Sequence, residues 1–170
     1  ESGKTYVVNG NGHYIQNVEI TGESDSDVII NANVNSSTDT ALTVSGTLDV
    51  VVNGHVTTAT EQGKNDGATA LQVSNANVTV VGDVGLAVAG GSTNSATYAV
   101  EADCNANVTI SGDVFSAENG VHAALGADVT IKQDLDIIGN SMVVIEDCTL
   151  TVEGDVNGSS AMIMGGDVSV

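Results

Sequence analysis

Apolar residues recur at every second position in short bursts along most of this chain, and polar residues fill the places between them. In Asn77-Val-Thr-Val the apolar pair is Val78 and Val80, and the polar pair is Asn77 and Thr79. A period of two predicts short β-strands with one face inward and one face outward. No segment carries the apolar spacing of a helix. Gly, Asn and Asp punctuate the bursts, as turns require.

The bursts repeat. NANVTVVGDV (75–84) and NANVTISGDV (105–114) share eight of ten letters. Related phrases begin at Asp128, Thr149 and Asp167, and Asp49-Val-Val-Val fits with a one-residue slip. Asp27-Val-Ile-Ile and Asn17-Val-Glu-Ile read as degenerate copies. An apolar run precedes each phrase, starting at Ala41, Ala70, Ala99, Val121, Met142 and Ala161. A Gly-Asp-Val or similar piece follows it, as at 82–84, 112–114 and 154–156. Each unit therefore holds three short strands. The starts are spaced 29, 29, 22, 21 and 19 residues apart, with the variation falling after the third strand.

Three strands per unit and one corner of variable length predict an all-β fold. The expected architecture is a parallel β-helix (solenoid), right-handed, of about six to seven coils. At about 4.8 Å per coil the stack would be about 30 Å long. One domain is expected: irregular coils or a cap over 1–40, then repeat coils over 41–170 ending mid-coil. The segments 57–69 and 88–98 read as exposed loops.

Composition sharpens the picture of the core. Hydrophobic content is 41%, yet there is no Trp, no Pro, one Phe and three Tyr. A core of Val, Ala, Ile and Leu suits a thin stack better than a thick globule. Charge narrows the partners. The net charge of -19, with only Lys4, Lys64 and Lys132 as cations, repels nucleic acid and anionic lipid. No run reaches the roughly 18 apolar residues of a membrane span. The opening at Glu1 carries no signal peptide, as in a mature or trimmed piece.

Stacked units align side chains into columns. Asn77, Asn107, Asp128, Thr149 and Asp167 form one. Thr79, Thr109, Thr130, Thr151 and Ser169 form a second, broken by Glu19, Ile29 and Val51. A Thr array can order ice, but a Thr ladder is also ordinary β-surface packing. A third column is His55, Asp83, Asp113, Asp134 and Asp155 at the turn into the third strand. Its carboxylates either accept backbone N–H bonds within their own turns or bind a divalent cation such as Ca²⁺ through oxygen. Asp83, Asp113, Asp134 and Asp155 are thus the metal-ligand candidates. Ca²⁺ is the only cofactor the residues suggest.

Nothing in the sequence marks a catalytic site. His13, His55 and His122 form no metal pair, and no Gly-x-Ser-x-Gly elbow is present. Carboxylate pairs such as Asp134/Asp136 and Glu146/Asp147 have the composition a glycoside hydrolase needs. Cys148 aligns with Ala76, Ala106 and Ala127 as a small core residue. Cys104 lies two units away, beyond disulfide reach, so both thiols are expected free.

The phrase Ala-Asn-Val-Thr-(Val/Ile)-x-Gly-Asp-Val, with its Ala/Gly/Asn-rich connections over about 41–170, resembles the repeat regions of bacterial cell-surface proteins. It is similar in style to adhesin and autotransporter-passenger solenoids. That resemblance implies an extracellular, surface-associated location and a non-enzymatic structural or adhesive role. Implied partners are a host or cell-surface glycan or protein, or the end of another solenoid. The alternatives are a carbohydrate-active β-helix hydrolase and a Ca²⁺-dependent assembly module.

Overall fold

The computed structural model describes residues 3–37, 39–61, 69–89, 98–116, 119–138, 144–158 and 166–170. All regular structure among them is β. The strands begin with β1 (Thr5–Asn9), β2 (Ile15–Gln16), β3 (Val18–Asn31), β4 (Val34–Ser36), β5 (Leu42–Val52) and β6 (Val56–Glu61). They continue with β7 (Leu71–Ser74), β8 (Asn77–Val80), β9 (Val84–Ala89), β10 (Tyr98–Asp103), β11 (Asn107–Ile110) and β12 (Val114–Ser116). The last are β13 (Asn119–Ala124), β14 (Asp128–Ile131), β15 (Leu135–Ile137), β16 (Val144–Glu146), β17 (Thr149–Val152), β18 (Val156–Gly158) and β19 (Asp167–Ser169). No described helix is long and apolar enough to cross a membrane.

Two sheets hold these strands. One runs β16-β13-β10-β7-β5-β8-β11-β14-β17-β19, with β3 beside β5 and β1 beside β3. The other runs β18-β15-β12-β9-β6-β4-β2. Every pairing among the described residues is parallel. The twin phrases pair residue for residue: Asn77 with Asn107, Val78 with Val108, Thr79 with Thr109, Val80 with Ile110. First strands pair with first strands, second with second and third with third. The long strands β3 and β5 span both first and second positions: the first half of β5 pairs with β7, the second half with β8.

The poor sequence match before residue 41 is not mirrored in the pairing. β1 pairs with β3 from Thr5↔Asp27 to Asn9↔Asn31, and β3 continues onto β5 through a register shift between Gly22 and Ser26. Asp27 pairs with Asp49, as its sequence suggests, and Asp49 pairs with Asn77. Two readings change. Asn17-Val-Glu-Ile belongs with the first strands, because Val18, Glu19 and Ile20 pair with Leu42, Thr43 and Val44. Glu19 therefore does not interrupt the Thr column, whose members are Val7, Ile29 and Val51, then Thr79, Thr109, Thr130, Thr151 and Ser169.

The fourth unit also begins one residue earlier than its sequence suggests. Val100 pairs with Val121, so Ala99 is matched by Gly120 and not by Val121. The cause is the corner between first and second strands. Asn75 and Asp147 turn it with one left-handed residue, while Cys104-Asn105 and Leu125-Gly126 use two. The loop expected from 57 starts later, since Thr57–Glu61 stay in β6 and pair with Gly85–Ala89. The loop expected over 88–98 is shorter too, since Val88 and Ala89 belong to β9 and Tyr98 opens β10. Residues 62–68 and 90–97 lie outside the described residues, as does the run Ala161-Met-Ile-Met.

The core is the inward column of each strand. Val50, Val52, Val78, Val80, Val108, Ile110, Val129, Ile131, Leu150 and Val152 are each at most 2% exposed. Burying such a side chain contributes about 1.5–3 kcal/mol, so these two columns outweigh any one surface contact. No aromatic ring joins the buried core. Phe115 instead faces out and covers Gly85, where an added Cβ would strike its ring. At the turn into the third strand a Cβ on Gly82 would lie 2.7 Å from the Gly54 carbonyl oxygen. Successive backbones approach there too closely for a larger residue in the same conformation.

Candidate functional site

The column that holds the metal-ligand candidates is a chain of side-chain to backbone hydrogen bonds. The Asp113 N–H donates to Asp83 Oδ1 at 3.0 Å. Asp134 N–H donates to Asp113 Oδ1 at 3.1 Å, and Asp155 N–H to Asp134 Oδ1 at 2.9 Å. Toward the N-terminus the ladder continues through His55 and Asn33: Asp83 N–H donates to His55 Nδ1 at 3.0 Å, and His55 N–H to Asn33 Oδ1 at 2.9 Å. Each acceptor serves the next unit, whereas the sequence suggested bonds within its own turn. A corner N–H that points along the stack has no partner inside its unit, so the neighbouring side chain supplies one.

His55 shows how strict this role is. Its Nδ1 also lies 3.2 Å from Asp83 Oδ2. A ring nitrogen cannot accept from an N–H and donate to a carboxylate at once. The neutral ring with its proton on Nε2 fills the acceptor role that Asn33 and the aspartates fill elsewhere.

The remaining candidates fall on other ladders. Asn77 Nδ2 donates to Asp49 Oδ1 at 2.7 Å. Asn31 and Asn53 pass amide bonds of 2.8 Å from Asn53 to Asn31 to Asn9. Asp136, one of the carboxylates considered for hydrolysis, accepts from Asn157 Nδ2 at 2.8 Å. Asp147 turns a corner with φ of 54°. Among the described residues no group of three or more His, Cys, Asp or Glu side chains is placed to hold a metal ion. Cys104 and Cys148 are both free thiols, Cys148 buried in the small-residue column.

Two features escaped the sequence. The first is a groove of about 390 Å³ at the corner between first and second strands, lined by Asp25, Thr47, Asp49, Asn75, Asn77 and Asn105 among others. Its walls combine amides and carboxylates from successive units with the side chains of Thr47, Leu48 and Ala76.

The second is a cluster on the outer face of β7, β10 and β13. Pairing sets Gln72 beside Glu101 and Glu101 beside His122. Gln72 Nε2 donates to Glu101 Oε2 at 3.3 Å, and His122 Nδ1 lies 3.5 Å from Glu101 Oε1. The Tyr98 ring stacks on His122, centroids 5.2 Å apart and planes 28° from parallel. Burial, and secondarily the Glu101 charge, raises the Tyr98 hydroxyl above its usual pKa of 10.0. Asp103 sits two residues beyond Glu101 on the same face, and its Oδ1 is buried without a hydrogen-bond partner. Four chemistries thus meet at one place: carboxylate, amide, imidazole and phenol. In the sequence Gln72 and Glu101 share the third position of their units, but His122 falls at the second of its own, and only the observed pairing brings it beside Glu101.

Comparison with protein-family models, with curated proteins and with solved structures finds no match to this chain.

Proposed function

We propose that this chain is a non-enzymatic structural segment of a secreted or cell-surface bacterial protein. In this reading it is a right-handed parallel β-helix that displays its outer face and corners to a partner. One observation carries the proposal: outward polar side chains form several ladders that join one unit to the next. The Asp83, Asp113 and Asp134 carboxylates accept backbone N–H groups of the following unit, and Asn77, Asn53 and Asn157 bridge to the preceding one. Such ladders stiffen a stack, and they occupy the Asp83, Asp113 and Asp134 carboxylates that the sequence offers as ligands. Strong negative charge keeps an exposed rod soluble, and the likeness to surface-protein repeats agrees with this.

The test has two arms. Solution scattering should give a rod with a constant cross-section. The immobilised chain, offered glycan and protein arrays and a polysaccharide panel, should show saturable binding without turnover. Polysaccharide cleavage lost in Glu101→Gln would replace this reading with the hydrolase.

A further inference from the structure

We propose that β1 is a self-association edge. Two copies of this chain meet through it, their β1 strands pairing antiparallel about a two-fold axis at Val7. The inference does not depend on the rod's wider role.

The backbone gives the first reason. Among the described residues β1 pairs with β3 alone. Asp27 N–H donates to the Lys4 carbonyl, and Gly10 N–H donates to the Asn31 carbonyl. Alternate residues of a strand present their N–H and C=O groups to opposite edges, so Thr5, Val7 and Asn9 aim theirs away from β3. An edge of this kind is a template for another strand. Antiparallel pairing centred on Val7 matches Val7 with its own copy and Thr5 with Asn9 of the second copy. The outward N–H and C=O groups of all three residues then gain partners.

The side chains fit the same pairing. Tyr6 and Val8 stand in the inward columns beside Val28 and Ile30, yet they are 48% and 42% exposed where Ile30 is fully buried. In the antiparallel pair Tyr6 faces Val8 of the second copy, an aromatic ring against a β-branched residue. A two-fold axis perpendicular to the sheet keeps both inward faces on one side, so each copy covers apolar surface of the other. On the outer face the ladder from Asn53 through Asn31 ends at Asn9, whose Oδ1 accepts at 2.8 Å. Its Nδ2 is left to donate onward. Thr5 Oγ1 donates to Asp27 Oδ2 at 3.1 Å, and its lone pairs are left to accept. The pairing sets Asn9 beside Thr5 of the second copy, a donor against an acceptor.

Charge permits the contact. The chain carries a net charge of -19, but residues 3–22 hold one acid, Glu19, and one base, Lys4. β1 itself has no charged residue, whereas β19, at the other end of the same sheet, begins with Asp167. Edge strands are commonly guarded against association by charges or proline, and β1 has neither. Meeting through this edge keeps the acidic bulk of the two chains apart.

Sedimentation equilibrium of the whole chain, from micromolar to millimolar concentration, tests this. The mass should rise and level off at twice that of the chain. Val7→Lys, which sets two lysines opposite each other at the axis, should weaken association at least tenfold. Val81→Lys, which adds the same charge at a 51% exposed position away from β1, should weaken it less than twofold. Val7→Pro removes an outward N–H and leaves the groups turned toward β3, and it should also weaken association at least tenfold. Circular dichroism matching the parent checks that each variant is folded. Val7→Cys, combined with Cys104→Ser and Cys148→Ala, should form a covalent dimer in air, because the facing Cα atoms stand about 5.5 Å apart. A monomer at every concentration would overturn the proposal. So would a dimer that Val7→Lys does not weaken and Val7→Cys does not cross-link. Growth in mass beyond the dimer would overturn it in favour of head-to-tail stacking.

Discussion

Replacing Asp113 separates the two roles of the aspartate ladder. Its Oδ1 accepts the Asp134 N–H, while its own N–H donates to Asp83 Oδ1. Asp113→Asn keeps an acceptor and removes the charge; Asp113→Ala removes both. The difference between the two variants is therefore the acceptor alone, worth about 1 kcal/mol for a neutral bond. For a chain of this size that is a Tm difference of about 2–4 °C.

The charge itself acts in the opposite direction. Carboxylates in adjacent units stand about 5 Å apart, which in water costs about 0.8 kcal/mol per pair. Asp113 has two such neighbours, Asp83 and Asp134, so the full repulsion is about 1.6 kcal/mol, halved at physiological salt where the screening length is about 8 Å. Asp113→Asn should then match or exceed the parent at low salt and lose that advantage at high salt. Asp113→Ala should melt below Asp113→Asn at every salt concentration. Thermal melts at about 20 mM and about 500 mM salt read both terms, spanning screening of the pair from about a fifth to about two thirds. If the Asn and Ala variants melt together under both conditions, Oδ1 is solvated and the ladder does not hold the units.

Further outcomes follow from the corners, the cluster and the ladder. Leu125 is 66% exposed with φ of 56°, so Leu125→Asn should raise stability by about 1 kcal/mol in urea melts. Gly46 has φ of 103°, and a Cβ there would strike the Gly22 carbonyl oxygen; Gly46→Ala should cost at least about 2 kcal/mol. The raised Tyr98 pKa means the folded chain holds that proton more tightly than the unfolded chain. Stability from it is intact below about pH 10 and lost as pH rises through the folded value. Ultraviolet titration should show one tyrosine ionising late, and Tyr98→Phe should remove that part of the alkaline loss. Since the Asp83, Asp113 and Asp134 oxygens already serve backbone N–H groups, millimolar Ca²⁺ should leave Tm unchanged beyond the effect of equal ionic strength; a specific rise would restore the Ca²⁺-assembly reading.

The second strands were the most legible part of the chain. Val78 and Val80 alternate with Asn77 and Thr79 between the same flanking residues in unit after unit, and the pairing follows that spelling letter by letter. The acceptor role of the aspartates was half legible. Residue type pointed to a backbone N–H, but only the stack shows that the N–H belongs to the next unit. The first strands were least legible. Their apolar runs abut corners of one or two left-handed residues, and Leu125, apolar yet in a corner, looks like a strand residue and pulls the frame forward.

That single residue also hid the cluster. With the fourth unit begun at Val121, the third position of each unit reads Thr43, Gln72, Glu101, Ala123, and Glu101 has an alanine for a neighbour. The observed pairing begins it at Gly120, and the column becomes Thr43, Gln72, Glu101, His122. A strand shifted by one residue turns every side chain to the opposite face. The number of left-handed residues at a corner thus decides which outward groups meet across units. A one-residue corner in place of Leu125-Gly126 would offer the next strand a different register, with the buried column of Val129 and Ile131 opposing the shift. The Glu101 cluster sits where two two-residue corners, Cys104-Asn105 and Leu125-Gly126, follow one another.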